Sequence, residues 1–73
     1  MKKFPVKSLS VVIPCYNEKN TIQRIVKEVE NAKLPGIEKE IIIVDDGSTD
    51  GTRDILLEIE KKYKSVKVIY QEK

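Results

Sequence analysis

Two clusters of polar side chains stand out in a chain without histidine: Asp45-Asp46-Gly47-Ser48-Thr49-Asp50-Gly51 and Pro14-Cys15-Tyr16-Asn17-Glu18. Neighbouring carboxylates on an extended chain point to opposite sides of a sheet, so Asp45 and Asp46 cannot work together as a paired acid and base. They are expected to divide the work. One can accept hydrogen bonds from a base edge or a ribose hydroxyl, while the other ties down the glycine-rich turn. Asp46, nearer the tip, is the better placed for a ligand. Taken alone, ordinary strand-end turn chemistry accounts for the pair as well as ligand binding does. In the other cluster Tyr16 offers a flat ring to a nucleobase and Glu18 a carboxylate to a ribose, although loop polarity before a helix also accounts for Asn17 and Glu18.

Other chemistries fit less well. Asp46 to Gly51 imitates the start of a calcium loop, with oxygens at alternate positions and glycine sixth, but Leu57 stands where the bidentate Glu belongs. A strand also precedes the turn where that motif needs a helix. Neither a phosphate-binding Gly-Lys-Ser/Thr loop nor the spaced glycines of a dinucleotide fingerprint is present. Cys15 has no base or cation near it in sequence and reads as a small buried residue before it reads as a nucleophile.

The elements that must position these clusters are legible from periodicity. Ile41 to Val44 is an unbroken β-branched run, suited to a central parallel strand covered on both faces and ending in the two acids. Open α/β sheets bind ligands outside the carboxyl ends of their strands, where both clusters fall. Leu9 to Ile13 reads as a first strand stopped by Pro14. Asn20 resembles an N-cap with Gln23 as its capping-box partner. Ile22, Ile25, Val26 and Val29 then make one apolar helical stripe, ended by Pro35-Gly36. Thr49 or Asp50 is expected to cap a second helix running to about Lys62, lined inside by Ile55, Leu56, Ile59 and Tyr63. Val66 to Tyr70 completes a βαβαβ order. Right-handed crossovers between neighbouring strands predict a parallel sheet of order 3-2-1 with both helices on one face.

Seventy-three residues make one small unit, without repeat, linker or internal boundary. A domain this size buries only ~60% of the surface its unfolded chain exposes, so a place in a larger protein is expected. Fourteen basic and twelve acidic residues, mixed along the chain, leave +2 and no footprint for nucleic acid. The basic lead-in, residues 1 to 7, is broken by Pro5 and reads as frayed. It is followed by too short an apolar run for a secretory signal, and no stretch reaches membrane-spanning length. One cysteine allows no internal disulfide, and a reduced, cytoplasmic compartment is the default.

Leu9 to Glu18, Leu-Ser-Val-Val-Ile-Pro-Cys-Tyr-Asn-Glu, followed by Glu40 to Thr52, Glu-Ile-Ile-Ile-Val-Asp-Asp-Gly-Ser-Thr-Asp-Gly-Thr, resembles the start of an inverting family 2 glycosyltransferase. Within that family it is most similar to the polyprenol-phosphate sugar transferases of the dolichol-phosphate mannose synthase type. The resemblance covers residues 8 to about 70. It implies the nucleoside-binding half of a GT-A, Rossmann-like fold and a UDP- or GDP-sugar donor. Carried over by position, Pro14, Tyr16 and Glu18 would line the nucleoside pocket on one side and Val44 and Asp46 the other, with Asn17, Asp45 and Asp50 in support.

Those enzymes continue into a Gly-Lys-Gly-type segment and then an Asp-x-Asp motif that holds Mg²⁺ or Mn²⁺ and the sugar diphosphate, features this sequence does not contain. Residues 1–73 are therefore expected to be a truncated, nucleotide-binding part of a transferase domain, with no catalytic residue or metal ligand and inactive alone. The full enzyme would serve a lipid-phosphate acceptor at the cytoplasmic face of a membrane. A stand-alone nucleotide-binding or structural α/β module is the alternative on the same residues. The bare sheet face and the long edge of Leu9 to Ile13 are expected to favour self-association.

Overall fold

The β-branched run Ile41 to Val44 forms the middle of a ten-residue strand, and the rest of the chain is wound around it. The structure is a computed structural model that describes residues 7–32 and 35–71. In order its elements are β1 (Lys7–Cys15), α1 (Ile22–Asn31), β2 (Ile37–Asp46), α2 (Thr52–Lys62) and β3 (Val66–Gln71). The three strands make one parallel sheet, β1-β2-β3, which is the expected 3-2-1 order read from the other edge.

The period-two alternation of β2 decides which side is core. Ile41, Ile43 and Asp45 are buried, whereas Ile42 and Val44 are half-buried and Asp46 is exposed. Ile22 and Val26 of α1 and Leu56 and Ile59 of α2 pack onto the buried side, with Cys15 and Val66 from the edge strands. Both helices thus cover one face. The expectation that β2 is covered on both faces does not hold among the described residues. On the open side Val12 is 60% and Ile69 48% exposed. A β-branched run reports that a strand is central in its sheet, which β2 is, but does not by itself supply a second layer.

Several boundaries differ from those read in the sequence. β1 runs through Pro14 to Cys15, because β1 lies at the sheet edge, where a residue without an N–H is tolerated. α1 begins after Thr21, not after Asn20, and neither side chain caps it. The carbonyl of Glu18 instead accepts from the N–H groups of Thr21 and Ile22, at 3.0 and 2.9 Å. The Asn20–Gln23 capping box is therefore not the device used. At the other end Lys39, reaching inward from β2, donates to the carbonyls of Val29, Glu30 and Ala32. A cation there completes the last turn's open acceptors and offsets the negative end of the helix dipole. Pro35 and Gly36 form the turn into β2 beyond that helix end, Gly36 at φ +77°. Lys7 opens β1, while the rest of the basic lead-in, residues 1 to 6, lies outside the described residues.

Candidate functional site

Both polar clusters sit at the carboxyl end of the sheet, and the turn after β2 is the more tightly built. Asp45 continues the inward-facing series of β2 and is 0% exposed. A carboxylate so placed needs partners, and it has them on three sides. The Ser48 hydroxyl and, at 3.2 Å, the Ser48 N–H donate to it, and Arg53 Nε in the first turn of α2 donates at 2.8 Å. Burial pushes the Asp45 carboxyl up, but the Ser48 hydroxyl and Arg53 outweigh it and hold the group below its ordinary value.

The start of α2 follows from the same turn. Gly51 is the N-cap residue, at φ +96°, a conformation that favours glycine. Asp50, one position earlier, accepts from the N–H of Thr52 at 3.1 Å and from its hydroxyl. Those bonds lower the Asp50 pKa. Of the two residues expected to cap this helix, Asp50 thus satisfies its first N–H from one step outside the cap position, and Thr49 takes a different role.

That role is to meet the first loop. Thr49 N–H donates to Asn17 Oδ1 at 2.8 Å, and the Asn17 N–H donates to Ser48 Oγ at 2.8 Å. Asn17 lies at φ +51°, in the left-handed region that Asn tolerates better than most residues. Ser48 Oγ is therefore a relay: it donates to buried Asp45 and accepts from the first loop. The register continues this pairing into the strands, with Pro14 opposite Val44 and Cys15 opposite Asp45.

The structure brings the sequence-derived residues together in part. Pro14, Tyr16 and Glu18 leave the end of β1 beside Val44 and Asp46 at the end of β2, and all but Val44 are exposed. Tyr16 is 47% exposed. Glu18 is bound into its own loop, its carboxylate accepting from Thr21 Oγ1 at 2.8 Å. Asn17, Asp45 and Asp50 form the scaffold behind them. Sequence reasoning passed over Ser48 and Arg53. Arg53 also donates to the carbonyl of Gln71 at 3.1 Å and lies 5.2 Å from the Tyr70 ring centre, which ties β3 to the acidic turn. A cation two residues past the turn's last glycine was the available signal.

Cys15 is buried and unpaired, and burial followed by the nearby charges of Asp45, Glu18 and Asp50 raises its pKa to about 11. It is a packing residue, since a thiol held that high is almost wholly protonated at neutral pH. Among the described residues no group of three His, Cys, Asp or Glu converges. The only buried carboxylate of the turn is already engaged by Ser48 and Arg53, so a divalent cation does not fit there. A shallow groove of about 510 Å³ between α1 and α2, edged by Arg24, Lys27 and Lys62, lies on the helical face and takes in no residue of either loop. No helix among the described residues is long and apolar enough to cross a membrane.

Comparison with known proteins bears directly on this arrangement. Residues 10–73 match the family model for glycosyl transferase family 2. The chain is 44% identical over 61 residues to a poly(ribitol-phosphate) beta-glucosyltransferase of Bacillus spizizenii, covering 84% of this chain and 10% of that protein. It is 42% identical over 65 residues to a dolichol-phosphate mannosyltransferase of Pyrococcus furiosus, covering 89% of this chain and 18% of the relative. An undecaprenyl-phosphate 4-deoxy-4-formamido-L-arabinose transferase of Pseudomonas syringae is 42% identical over 57 residues, 77% of this chain and 17% of its own length. The chain thus spans less than a fifth of the length of these relatives, and residues 10–73, matched to the family, hold both loops, most of β1 and all of β2 and β3. By that match the chain belongs to glycosyl transferase family 2.

Proposed function

We propose that this chain supplies the nucleoside-binding part of a transferase that moves a sugar from a UDP- or GDP-sugar to an acceptor. The observation that carries the reading is the joining of the two polar loops at the carboxyl end of the sheet. Asn17, Ser48 and Thr49 clamp them side by side, within the segment matched to the family. In this reading Asp46 accepts from the nucleoside, Tyr16 lies against the base, Pro14 and Val44 shape the floor and Glu18 borders the ribose. These residues bind and orient the donor.

A polyprenol phosphate is the acceptor we favour, because two relatives above carry such a lipid phosphate in their names. That reading puts the whole protein at a membrane face. The poly(ribitol-phosphate) enzyme's name marks the other acceptor class, a polymer. Mg²⁺ or Mn²⁺ is the cation implied by the family resemblance, and since the described residues do not fit one, no step is assigned to it here.

Calorimetric titration with UDP and with GDP tests the proposal. Saturable binding of one of them is expected, and Asp46→Asn should weaken it roughly ten- to hundredfold, the loss of one charged acceptor. Asp45→Asn should act on stability first. Absence of binding by either nucleotide, or equal affinities in wild type and Asp46→Asn, would overturn the reading. We further propose that the open sheet face, with Val12 and Ile69 exposed, mediates self-association. Sedimentation velocity should show a mass that rises with concentration; a monomer throughout would refute it.

A further inference from the structure

Arg53 belongs to none of the polar clusters visible in the sequence, yet it joins all the elements that end at this site. Its Nε donates to buried Asp45 at 2.8 Å, its Nη2 donates to the carbonyl of Gln71 at 3.1 Å, and its guanidinium lies 5.2 Å from the Tyr70 ring centre. The side chain is 34% exposed, so the guanidinium is partly open to solvent while Asp45 and the Gln71 carbonyl hold two of its nitrogens. From Asp45 the chain of contacts runs through the Ser48 hydroxyl to the Asn17 N–H. One guanidinium thus sets the end of β2, the end of β3 and, by relay, the loop after β1.

We propose that Arg53 is the positioning residue of the nucleoside site, holding the acidic turn and the β3 end in the geometry that lets Tyr16 and Asp46 meet one ligand; this rests on the nucleotide reading above. A lysine cannot take over fully. It has a point charge in place of a planar fork and cannot serve Asp45 and Gln71 while lying against a ring.

The groups facing Asp45 fix the sign of a pH effect. From α2 comes Arg53, from β1 Cys15, from β3 Tyr70, and from the turn Ser48, with Asp50 and Glu18 acting on the same Cys15 neighbourhood. Burial raises Tyr70 first, then the charges of Glu60 and Asp45, so like Cys15 it stays protonated near neutrality. Arg53 is the cation that those interactions give Asp45. In the wild type the Asp45 value lies below the unfolded one, and ionisation of Asp45 holds the turn at every pH above it. Removing the cation leaves burial opposed by Ser48 alone, which moves the Asp45 value upward. The turn then loosens at a higher pH than in the wild type.

The experiment measures UDP and GDP affinity from pH 7 down through the acid range in which Asp45 titrates for wild type, Arg53→Lys and Arg53→Met. In parallel, the pH dependence of the Ser48 backbone amide is followed by NMR on the ligand-free protein. Arg53→Met should bind roughly tenfold more weakly at pH 7, with the deficit growing as pH falls. Arg53→Lys should recover part of the pH profile and less of the affinity. In both variants the Ser48 amide midpoint should lie above that of the wild type, further for Met. Wild-type affinity in Arg53→Met, or the same fractional loss at every pH, would overturn the proposal. If the wild type binds neither nucleotide, the nucleotide reading fails, and an unshifted Ser48 midpoint would sink the positioning role separately. If Arg53→Met does not fold, Arg53→Lys decides it by the same amide.

Discussion

The two crossover loops do the same topological job by different means. The turn after β2 is organised from within: Asp45 accepts from Ser48, Asp50 accepts from Thr52, and Gly51 takes the left-handed conformation that starts α2. In the loop after β1 the Glu18 carbonyl and carboxylate gather Thr21 and Ile22, and Asn17 is joined to Ser48 and Thr49 of the other loop. The difference teaches an order of dependence. The second turn is expected to hold its shape without the first, and the first to depend on the second. Disrupting the Asp45 end should therefore disturb both loops, and disrupting the Asn17 end only one.

Asp45→Ala is the change with the largest expected effect. It removes the buried carboxylate that Arg53 and Ser48 both bond, at a cost of about 2 to 4 kcal/mol, below the upper range for buried pairs because Arg53 keeps partial access to water. Denaturant unfolding should show this as a lower midpoint with little change in slope. The wild-type pH profile gives the same answer by another route. Since the Asp45 pKa is lowered in the folded state, its contribution is fully present above the unfolded value of ~3.9 and is lost as pH falls through the folded value. Asp45→Ala should flatten that part of the acid limb. A variant as stable as the wild type, with the acid limb intact, would show that the turn is not organised by Asp45.

Much of this arrangement is readable in the chain because local pattern and fold agree. That the run Ile41 to Val44 is a strand, that Ile22 to Val29 is a helical stripe and that the glycine-rich segment is a turn can each be read from neighbours alone. Alternation also puts Asp45 and Asp46 on opposite sides. What could not be read depends on backbone conformation and on contacts that the fold creates. Asn20–Gln23 matches a capping box, but the start of α1 is taken by the Glu18 carbonyl, with Asn17 just before it in the left-handed region. Pro14 ends a strand only if it needs its N–H, and whether β1 lies at an edge is a property of the sheet. Arg53 and Lys39 take their roles only from the fold, which sets one between β2 and β3 and the other under the carboxyl end of α1.

Asn17 gives the smaller and more discriminating test. Asn17→Ala removes the acceptor for Thr49 N–H and leaves a β-carbon residue at φ +51° without the side-chain contact that makes it tolerable, whereas Asn17→Gly removes the same acceptor but relieves the backbone. The hydrogen bond is exposed, so its loss costs at most ~0.5 to 1 kcal/mol, and the conformational term adds about 1 kcal/mol for Ala alone. Asn17→Ala should therefore fall about 1 to 2 kcal/mol below the wild type and Asn17→Gly less than 1. In both, the Ser48 amide should keep its wild-type environment, because Asp45 and Arg53 are untouched. The Thr49 amide should become readily exchangeable, and hydrogen exchange followed by NMR reads the two neighbouring positions at once. If Ser48 lost its protection together with Thr49, the two loops would be mutually dependent, and the one-way hierarchy drawn from Asp45 through Ser48 to Asn17 would have to be given up.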